Sequence, residues 1–320
     1  MRTALILSDG KPGHENQSKA LAEGLGLRAE IIPCVYSSKR KKTLSLFLDR
    51  LGIARDLTGA VTTAEQVAAT LHEPPAAVIG AGSNTFYSLS VLRRKLNLPT
   101  VAILTPRGYR LSGFDAILSP AFDRAPQAPN VIRIPTNLSP ARPEFYREQT
   151  AAFLERYTPK NDRAVGVIIG GKNSIADVTP DWLKKQLEAL FAATPDCEHW
   201  VTTSRRTSPE ADAIIDSFPF DYKLIFSRER FNPIPAMVSR CERLFVTAES
   251  TGMLSEAVAV GSSYVEILDN LSTDYGKFVR FVDSLCTEGY AHRFDGTLGS
   301  SRRKIDLAAV FANVARLIKR

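Results

Sequence analysis

The feature that most constrains the fold is a regular alternation of short apolar, β-branched runs with amphipathic helical patterns. Continuous apolar runs are typical of parallel strands that are covered by helices on both faces. The sequence therefore predicts an α/β fold built from doubly wound parallel sheets. The strand candidates are 3–7, 30–35, 76–79, 100–104, 116–118, 131–134, 165–169, 199–202, 222–226, 244–246 and 263–267, and the helix candidates are 14–26, 63–72, 84–97, 180–193, 209–216, 234–241 and 252–260.

The alternation is interrupted once, at the proline-containing stretch RIPTNLSPARPEF (133–145), and then starts again. A chain of 320 residues also exceeds the usual size of a single hydrophobic core. We predict an N-terminal Rossmann-like domain over 1–140, a linker over 141–162 and a C-terminal Rossmann-like domain over 163–304. For a last helix over 305–320 the sequence leaves two placements open: it packs back on the N-terminal domain or stays with the C-terminal one. Two such domains predict a cleft that they face from opposite sides.

Composition narrows the function classes. With 44% hydrophobic and 23% charged residues, the chain has the composition of an ordinary globular protein. There is no long apolar run and no signal-peptide pattern, so we expect a cytoplasmic protein. The four cysteines have no paired spacing, which is typical of reduced thiols rather than a disulfide or zinc framework. The net charge of +7 favours anionic partners, but no nucleic-acid-binding motif accompanies it, so we expect no nucleic acid partner.

The first candidate site follows the first predicted strand, in SDGKPGHENQ (8–17). In open α/β sheets, ligands bind at the carboxyl ends of strands. Gly10 and Gly13 allow a tight turn, and the helix that follows directs its free N–H groups at whatever occupies that turn. His14 and Glu15 are candidates for acid–base catalysis, with Asn16 beside them. A turn without a ligand is the alternative.

Two further strand ends of the N-terminal half carry polar groups. GAGSNT (80–85) holds Ser83, and TPRGY (105–109) holds Arg107. Both, with Gly10, Gly13 and Asn16, are candidate contacts for a ligand at the carboxyl ends of these strands. The alternatives are that Ser83 caps a helix starting near Asn84 and that Arg107 forms a surface salt bridge.

In the C-terminal half, VIIGGKNS (167–174) ends a strand with two glycines. Gly170 and Gly171, followed by Lys172 and Asn173, predict a backbone nest for a diphosphate. Arg205, at the next strand end, is a candidate clamp for phosphate oxygens, with a solvated arginine as the alternative.

The segment TAESTGMLSEAVAVG (247–261) is the most informative. A loop of Glu249, Ser250, Thr251 and Gly252 opens a helix whose N–H groups can hold phosphate, and Glu256 can accept the hydroxyl groups of a ribose. Taken alone, Ser250 is a helix cap and Glu256 a solvated helix residue.

The segment KRKKTLSLFLDRLGI (39–53) combines four cations with an apolar stripe at helical spacing. This pattern predicts peripheral contact with the inner face of an anionic membrane. The alternative is a surface helix whose apolar stripe packs on the N-terminal domain.

Several motifs together resemble the mitochondrial-fission Elm-like family, a GT-B-like group with many bacterial members. The resemblance implies a nucleoside-diphosphate sugar as substrate, no tightly bound cofactor, no metal and an unknown acceptor. It puts Gly10, Gly13, Asn16, Ser83 and Arg107 on the side of the site that binds the sugar and the acceptor. By position, it places phosphate contacts at Gly170, Gly171, Ser250, Thr251 and Gly252 and a ribose contact at Glu256; Glu249 stands where aspartate is expected. The segments that carry it are, in order, SDGKPGHENQSKALAEGLG, GAGSNT, RIPTNLSPARP, GVIIGGKN, TTSRRT, NPIPAMVSRCERLFVTAESTGMLSEA and YGKFVRFVDSLCTEGYAHRF.

Three functions fit these observations. The first is metal-independent glycosyl transfer from a nucleoside-diphosphate sugar. The second is epimerisation or hydrolysis of the nucleotide sugar itself. The third is a non-catalytic scaffold, as the fission role of the eukaryotic relatives implies.

Overall fold

The computed structural model of the chain describes residues 2–140, 142–272 and 276–318. Tyr275, which opens the last family segment, and Lys319, near the end of the last predicted helix, lie outside these ranges. The chain forms two compact units. Unit 1 comprises Met1–Ala141 and Asp306–Arg320, and unit 2 comprises Arg142–Ile305.

Unit 1 contains a six-stranded parallel sheet in the order β2-β1-β3-β4-β5-β6. Every residue of β1, β3, β4 and β5 is buried, which requires cover on both faces of the sheet. The elements of unit 1 are β1 Thr3–Ser8, α1 Pro12–Gly24, β2 Arg28–Pro33, α2 Lys39–Leu51, α3 Ala60–Thr70, β3 Ala77–Ala81, α4 Phe86–Leu96, β4 Thr100–Ile103, β5 Ala116–Pro120, β6 Val131–Ile134 and α11 Leu307–Ile318.

The last helix, α11, packs on α1, β5 and β6. The ring of Phe311 lies so close to Gly24 that a Cβ at this glycine would be 2.4 Å from Phe311 Cδ2. The contact fixes the C-terminal helix on α1 and requires glycine at position 24.

Unit 2 contains a second six-stranded parallel sheet, in the order β12-β11-β10-β7-β8-β9. Counted from β7, this is the strand order of the dinucleotide-binding Rossmann fold. The elements of unit 2 are α5 Pro143–Leu154, β7 Ala164–Ile168, α6 Pro180–Ala193, β8 Glu198–Thr202, α7 Pro209–Ser217, β9 Tyr222–Leu224, α8 Ile234–Arg240, β10 Arg243–Thr247, α9 Thr251–Ala259, β11 Tyr264–Leu268, α10 Gly276–Thr287 and β12 His292–Arg293.

Of the segment 141–162, expected to be a linker, residues 142–162 belong to unit 2 and carry helix α5. Phe153 is fully buried, with its ring 5.0 Å from that of Trp200 and 4.9 Å from that of Tyr222. Tyr157 packs on the same group of rings. This aromatic cluster makes the segment part of the domain core rather than a spacer.

Helix α2 does not bury the apolar stripe that the sequence contains. Leu48 is buried, whereas Leu44, Phe47 and Leu51 are exposed. The alternative expectation, that the apolar stripe packs on the N-terminal domain, therefore holds only for Leu48. Across the described ranges, the helices all fall short of the length and apolarity needed to cross a bilayer.

Candidate functional site

Each sheet has one point at which the strand order reverses direction. In unit 1, the chain places β2 on one side of β1 and β3 on the other, so the loops after β1 and β3 diverge. In unit 2, the same reversal occurs between β7 and β10. Ligands of open α/β sheets bind at such switch points, at the carboxyl ends of the strands. Most of the residues predicted from the sequence lie at these two edges.

At the edge of unit 1, Asp9 and His14 form a hydrogen-bonded pair. Asp9 follows β1 directly, its side chain is only 1% exposed, and both carboxylate oxygens lie 3.1 Å from His14 Nδ1. Asn84 Nδ2 donates a further hydrogen bond of 3.3 Å to Asp9. A carboxylate can only accept, so His14 Nδ1 carries a proton; in the neutral imidazole, Nε2 is then the acceptor.

The loop after β3 fixes the orientation of this imidazole ring. Gly82 has φ +82°, and a Cβ there would lie 2.3 Å from His14 Cε1. The side chain of His14 is 22% exposed, and within the described part of the chain no group hydrogen-bonds to Nε2. Gly10, Gly13 and Asn16 are exposed, and no atom lies within 4 Å of a Cβ at either glycine. The acceptor nitrogen of His14 therefore belongs to an open edge.

Glu15 and Arg107 have protein partners. Glu15 accepts from Ser8 Oγ at 2.8 Å and pairs with Lys19 Nζ at 2.7 Å. The hydrogen bond from Lys19, followed by that from Ser8, lowers the pKa of Glu15, so this carboxyl is a poor proton donor. The exposed Arg107 donates from Nη2 to the carbonyl of Asp123 at 2.9 Å.

Ser83 does not cap helix α4, which corrects the alternative interpretation from the sequence. The N-cap of α4 is Thr85, which makes no side-chain capping bond. Ser83 Oγ instead accepts from Lys42 Nζ at 2.7 Å, and Lys42 also contacts Asn84 Oδ1. Burial lowers the pKa of Lys42, and the nearby Lys11 lowers it further. A cation of α2 is thus held next to the Asp9–His14 pair.

At the edge of unit 2, the buried Glu249 joins three strand ends. Its Oε1 accepts from the backbone N–H of Gly171 at 2.8 Å, and its Oε2 accepts from Asn270 Nδ2 at 3.0 Å. Arg206 Nη2 lies 3.5 Å from Oε1. Glu249 points inward, so its observed role is to hold the loop that follows β7.

The glycine pair after β7 is packed rather than open. Gly170 donates its N–H to Thr247 Oγ1 at 2.9 Å, so the amides of both glycines already have acceptors. A Cβ would lie 1.6 Å from Glu249 Oε1 at Gly170 and 2.1 Å from the carbonyl oxygen of Arg206 at Gly171. Close packing therefore explains both glycines, and the free amides expected for a diphosphate nest are absent from this pair.

The polar residues beyond the glycine pair lie closer to solvent. Lys172 pairs with Asp177 at 2.7 Å, a contact that raises the pKa of the exposed lysine. Asn173 Oδ1 accepts the N–H of Ile175 at 2.8 Å. Both residues line an open pocket of about 540 Å³ together with residues of 269–272. Arg205 is exposed.

The start of α9 is the open part of this edge. Ser250 is the N-cap and makes no side-chain capping bond. Gly252 is exposed, and nothing lies within 4 Å of a Cβ at this position. The first turn of the helix, which also contains Thr251, directs N–H groups and a partial positive charge toward this space. An anion is the ligand that such a turn favours.

Glu256 is not a solvated helix residue, so that alternative is wrong. Its Oε1 accepts a hydrogen bond of 3.1 Å from the buried hydroxyl of Tyr146, on α5. Burial raises the pKa of Glu256 to about 7, against a smaller opposing effect of the Tyr146 hydrogen bond. The carboxyl therefore changes protonation state near neutral pH.

Two other features bear on the location of the site. In the described ranges, no three His, Cys, Asp or Glu side chains form a group that could hold a metal ion. A cavity of about 740 Å³ in unit 1 is lined by residues such as Pro99 and Asp115. These residues immediately precede β4 and β5, at the amino ends of the strands, and we do not assign the site there.

Comparison with family profiles places the chain among known proteins. The profile described as Mitochondrial fission ELM1 matches residues 12–320. The chain belongs to the Mitochondrial fission ELM1 family. A search of curated proteins gave no significant match.

Solved structures show the fold that this ELM1-family chain adopts. S. aureus MnaA, solved with UDP, is 12% identical with a TM-score of 0.50, over 100% of this chain and 96% of MnaA. Acinetobacter baumannii MurG is also 12% identical with a TM-score of 0.50, over 100% of this chain and 92% of MurG. The fold is GT-B-like, with two Rossmann-like domains, as the sequence predicted.

Three residues of this ELM1-family site escaped sequence reasoning. Asp9 stands five positions before His14 and is brought back to it by the left-handed turn at Gly10. Lys42 lay within the segment predicted to contact a membrane, and Tyr146 within the predicted linker. Of the three, only Asp9 could have been predicted, from the short Asp–Gly turn that precedes a histidine.

Proposed function

We propose that this ELM1-family protein is a GT-B-type enzyme that binds a nucleoside-diphosphate sugar and transfers the glycosyl group without a metal. The observation that carries the proposal is the Asp9–His14 pair at the switch point of unit 1. A buried carboxylate that holds one imidazole nitrogen and leaves the other to accept a proton is the arrangement of a general base. The UDP bound to S. aureus MnaA, a protein of similar fold, supports the choice of nucleotide class.

Donor binding is assigned to unit 2. The first turn of α9, from Ser250 to Gly252, binds the diphosphate, and the partial positive charge of the helix stabilises the negative charge of the leaving group. Glu256 accepts a ribose hydroxyl through the carboxylate oxygen that Tyr146 does not occupy. Arg205, which is exposed, and Lys172, whose ammonium also pairs with Asp177, supply cations for the phosphate oxygens.

Activation of the acceptor is assigned to unit 1. The acceptor hydroxyl oxygen attacks the anomeric carbon while its proton passes to His14 Nε2. The bond between the anomeric carbon and the diphosphate oxygen breaks, and its electron pair leaves with the diphosphate. Asp9 stabilises the resulting imidazolium. Gly10, Gly13, Asn16 and Ser83 border the sugar and the acceptor.

A panel of nucleoside-diphosphate sugars tests the proposal, with release of nucleoside diphosphate as the readout. The expected result is release that depends on one nucleotide and one acceptor and falls about 10²-fold to 10⁴-fold in His14→Gln, with unchanged nucleotide affinity. Full release without any acceptor would instead support hydrolysis or epimerisation. If calorimetry detected no nucleotide binding, the proposed enzymatic function would be wrong, and the non-catalytic scaffold would be the remaining function.

A further inference from the structure

The outward face of α2 carries three large apolar side chains. Leu44, Phe47 and Leu51 are 39%, 59% and 57% exposed. They stand at helical spacings i, i+3 and i+7 and so form one stripe. The inward face of the same helix is formed by Ser45, Leu48 and Asp49, all buried. A second apolar stripe that stays exposed, on a helix whose other face is already buried with Leu48 in the core, departs from the usual pattern of a surface helix.

The charges around this stripe all have one sign. Lys39, Arg40, Lys41 and Arg50 are exposed on α2. Its single acidic residue, Asp49, is buried and accepts the backbone N–H of Arg110 at 2.9 Å and the hydroxyl of Ser90 at 3.1 Å. Lys42 is turned toward Ser83 and is not counted. The exposed surface of the helix therefore presents four cations and no anion.

We propose that α2 is a membrane-surface helix that binds anionic lipid. Leu44, Phe47 and Leu51 enter the boundary between headgroups and acyl chains, and the four cations contact the lipid phosphates. A protein partner fits less well, because a stable protein interface buries about 800 Å² on each side. Three side chains on one helix of 13 residues provide much less apolar area.

Vesicle co-sedimentation of the full chain tests the proposal. Binding is expected with vesicles that contain phosphatidylglycerol, is expected to weaken with salt, and is not expected with phosphatidylcholine alone. Each cation near the surface contributes about a fivefold gain in partitioning, so Arg40→Gln with Lys41→Gln should weaken binding about 25-fold. Phe47→Ser should weaken it by about tenfold.

Matched control variants on unit 2 test whether vesicle binding depends on α2 itself or only on the total number of exposed cations and apolar side chains. Lys184 and Lys185 are exposed neighbours on α6, and Leu298 is 39% exposed. The pair Lys184→Gln with Lys185→Gln, and Leu298→Ser, should leave vesicle binding unchanged. All of these side chains are exposed, so thermal unfolding verifies that each variant is folded.

Three results would overturn the proposal. One is no binding to anionic vesicles, and another is equal binding to phosphatidylcholine. The third is a dimer, detected by sedimentation velocity, that Phe47→Ser converts to a monomer while vesicle binding stays unchanged, since the face would then bind a second copy of the chain.

Discussion

A carboxylate placed at Gly252 should weaken nucleotide binding about 150-fold without harming the fold. Gly252 is exposed, and nothing lies within 4 Å of a Cβ at this position, so an aspartate fits without a clash. It would stand in the first turn of α9, where an acidic side chain stabilises the helix by about 0.3–1 kcal/mol. The thermal midpoint of Gly252→Asp should therefore equal or exceed that of the wild type.

The effect on affinity follows from Coulomb repulsion. A carboxylate that occupies the space in front of this turn would lie about 5 Å from a diphosphate bound there. At an effective dielectric constant of about 20, each pair of unit charges then repels by roughly 3 kcal/mol, which corresponds to about 150-fold weaker binding. Titration calorimetry with UDP measures this difference, and raising the ionic strength should reduce it.

Gly252→Asn is the matched control, because it has the size of aspartate without the charge. Its affinity should stay within a fewfold of the wild type. Equal affinities of wild type and Gly252→Asp would refute a phosphate site at the start of α9. Equal losses in both variants would show that the added volume is responsible and that the electrostatic explanation fails.

Further predictions concern the two edges. Asp9→Asn should lower turnover about 10²-fold or more and leave the nucleotide Kd unchanged, because it disturbs the orientation and protonation of His14 and not the donor site assigned to unit 2. Gly82→Ala should lower the free energy of unfolding in urea by roughly 1–3 kcal/mol, and more than Gly10→Ala, which has a similar positive φ but no clash. For Glu256, the folded pKa of about 7 lies above its ordinary 4.5, so ionisation destabilises the fold as the pH rises. Glu256→Gln should thus gain stability of up to about 3 kcal/mol at pH 8 and almost none at pH 4.5 in urea melts; no dependence on pH would contradict the buried carboxyl.

Much of the fold could be predicted because strands buried on both faces of a sheet require continuous apolar runs, which are visible in the sequence. Each predicted strand is present within two residues of its predicted bounds, from β1 to β11. The two-residue strand β12 and helix α10 were not predicted. Strand β12 is too short to form a run, and its pairing with β11 depends on tertiary packing.

The candidate site was less predictable, because its side chains are oriented by contacts distant in sequence. The sequence placed a carboxylate in the loop after β10 but could not show that Glu249 turns inward to Gly171 and Asn270. It placed Glu256 on a helix, but its partner Tyr146 is 110 positions away. The roles of these residues in binding stay predictions.

The length of one side chain has a consequence for which residues this sheet edge tolerates. Glu249 spans the gap between the loop after β7 and the residue that follows β11 by two positions, with one oxygen for each. Aspartate, expected here from the family resemblance, is one methylene shorter and would give up one of these bonds or draw the two loops together. An aspartate at position 249 would therefore require a different support for the loop after β7. Positions 171, 249 and 270 are thus expected to change together or not at all.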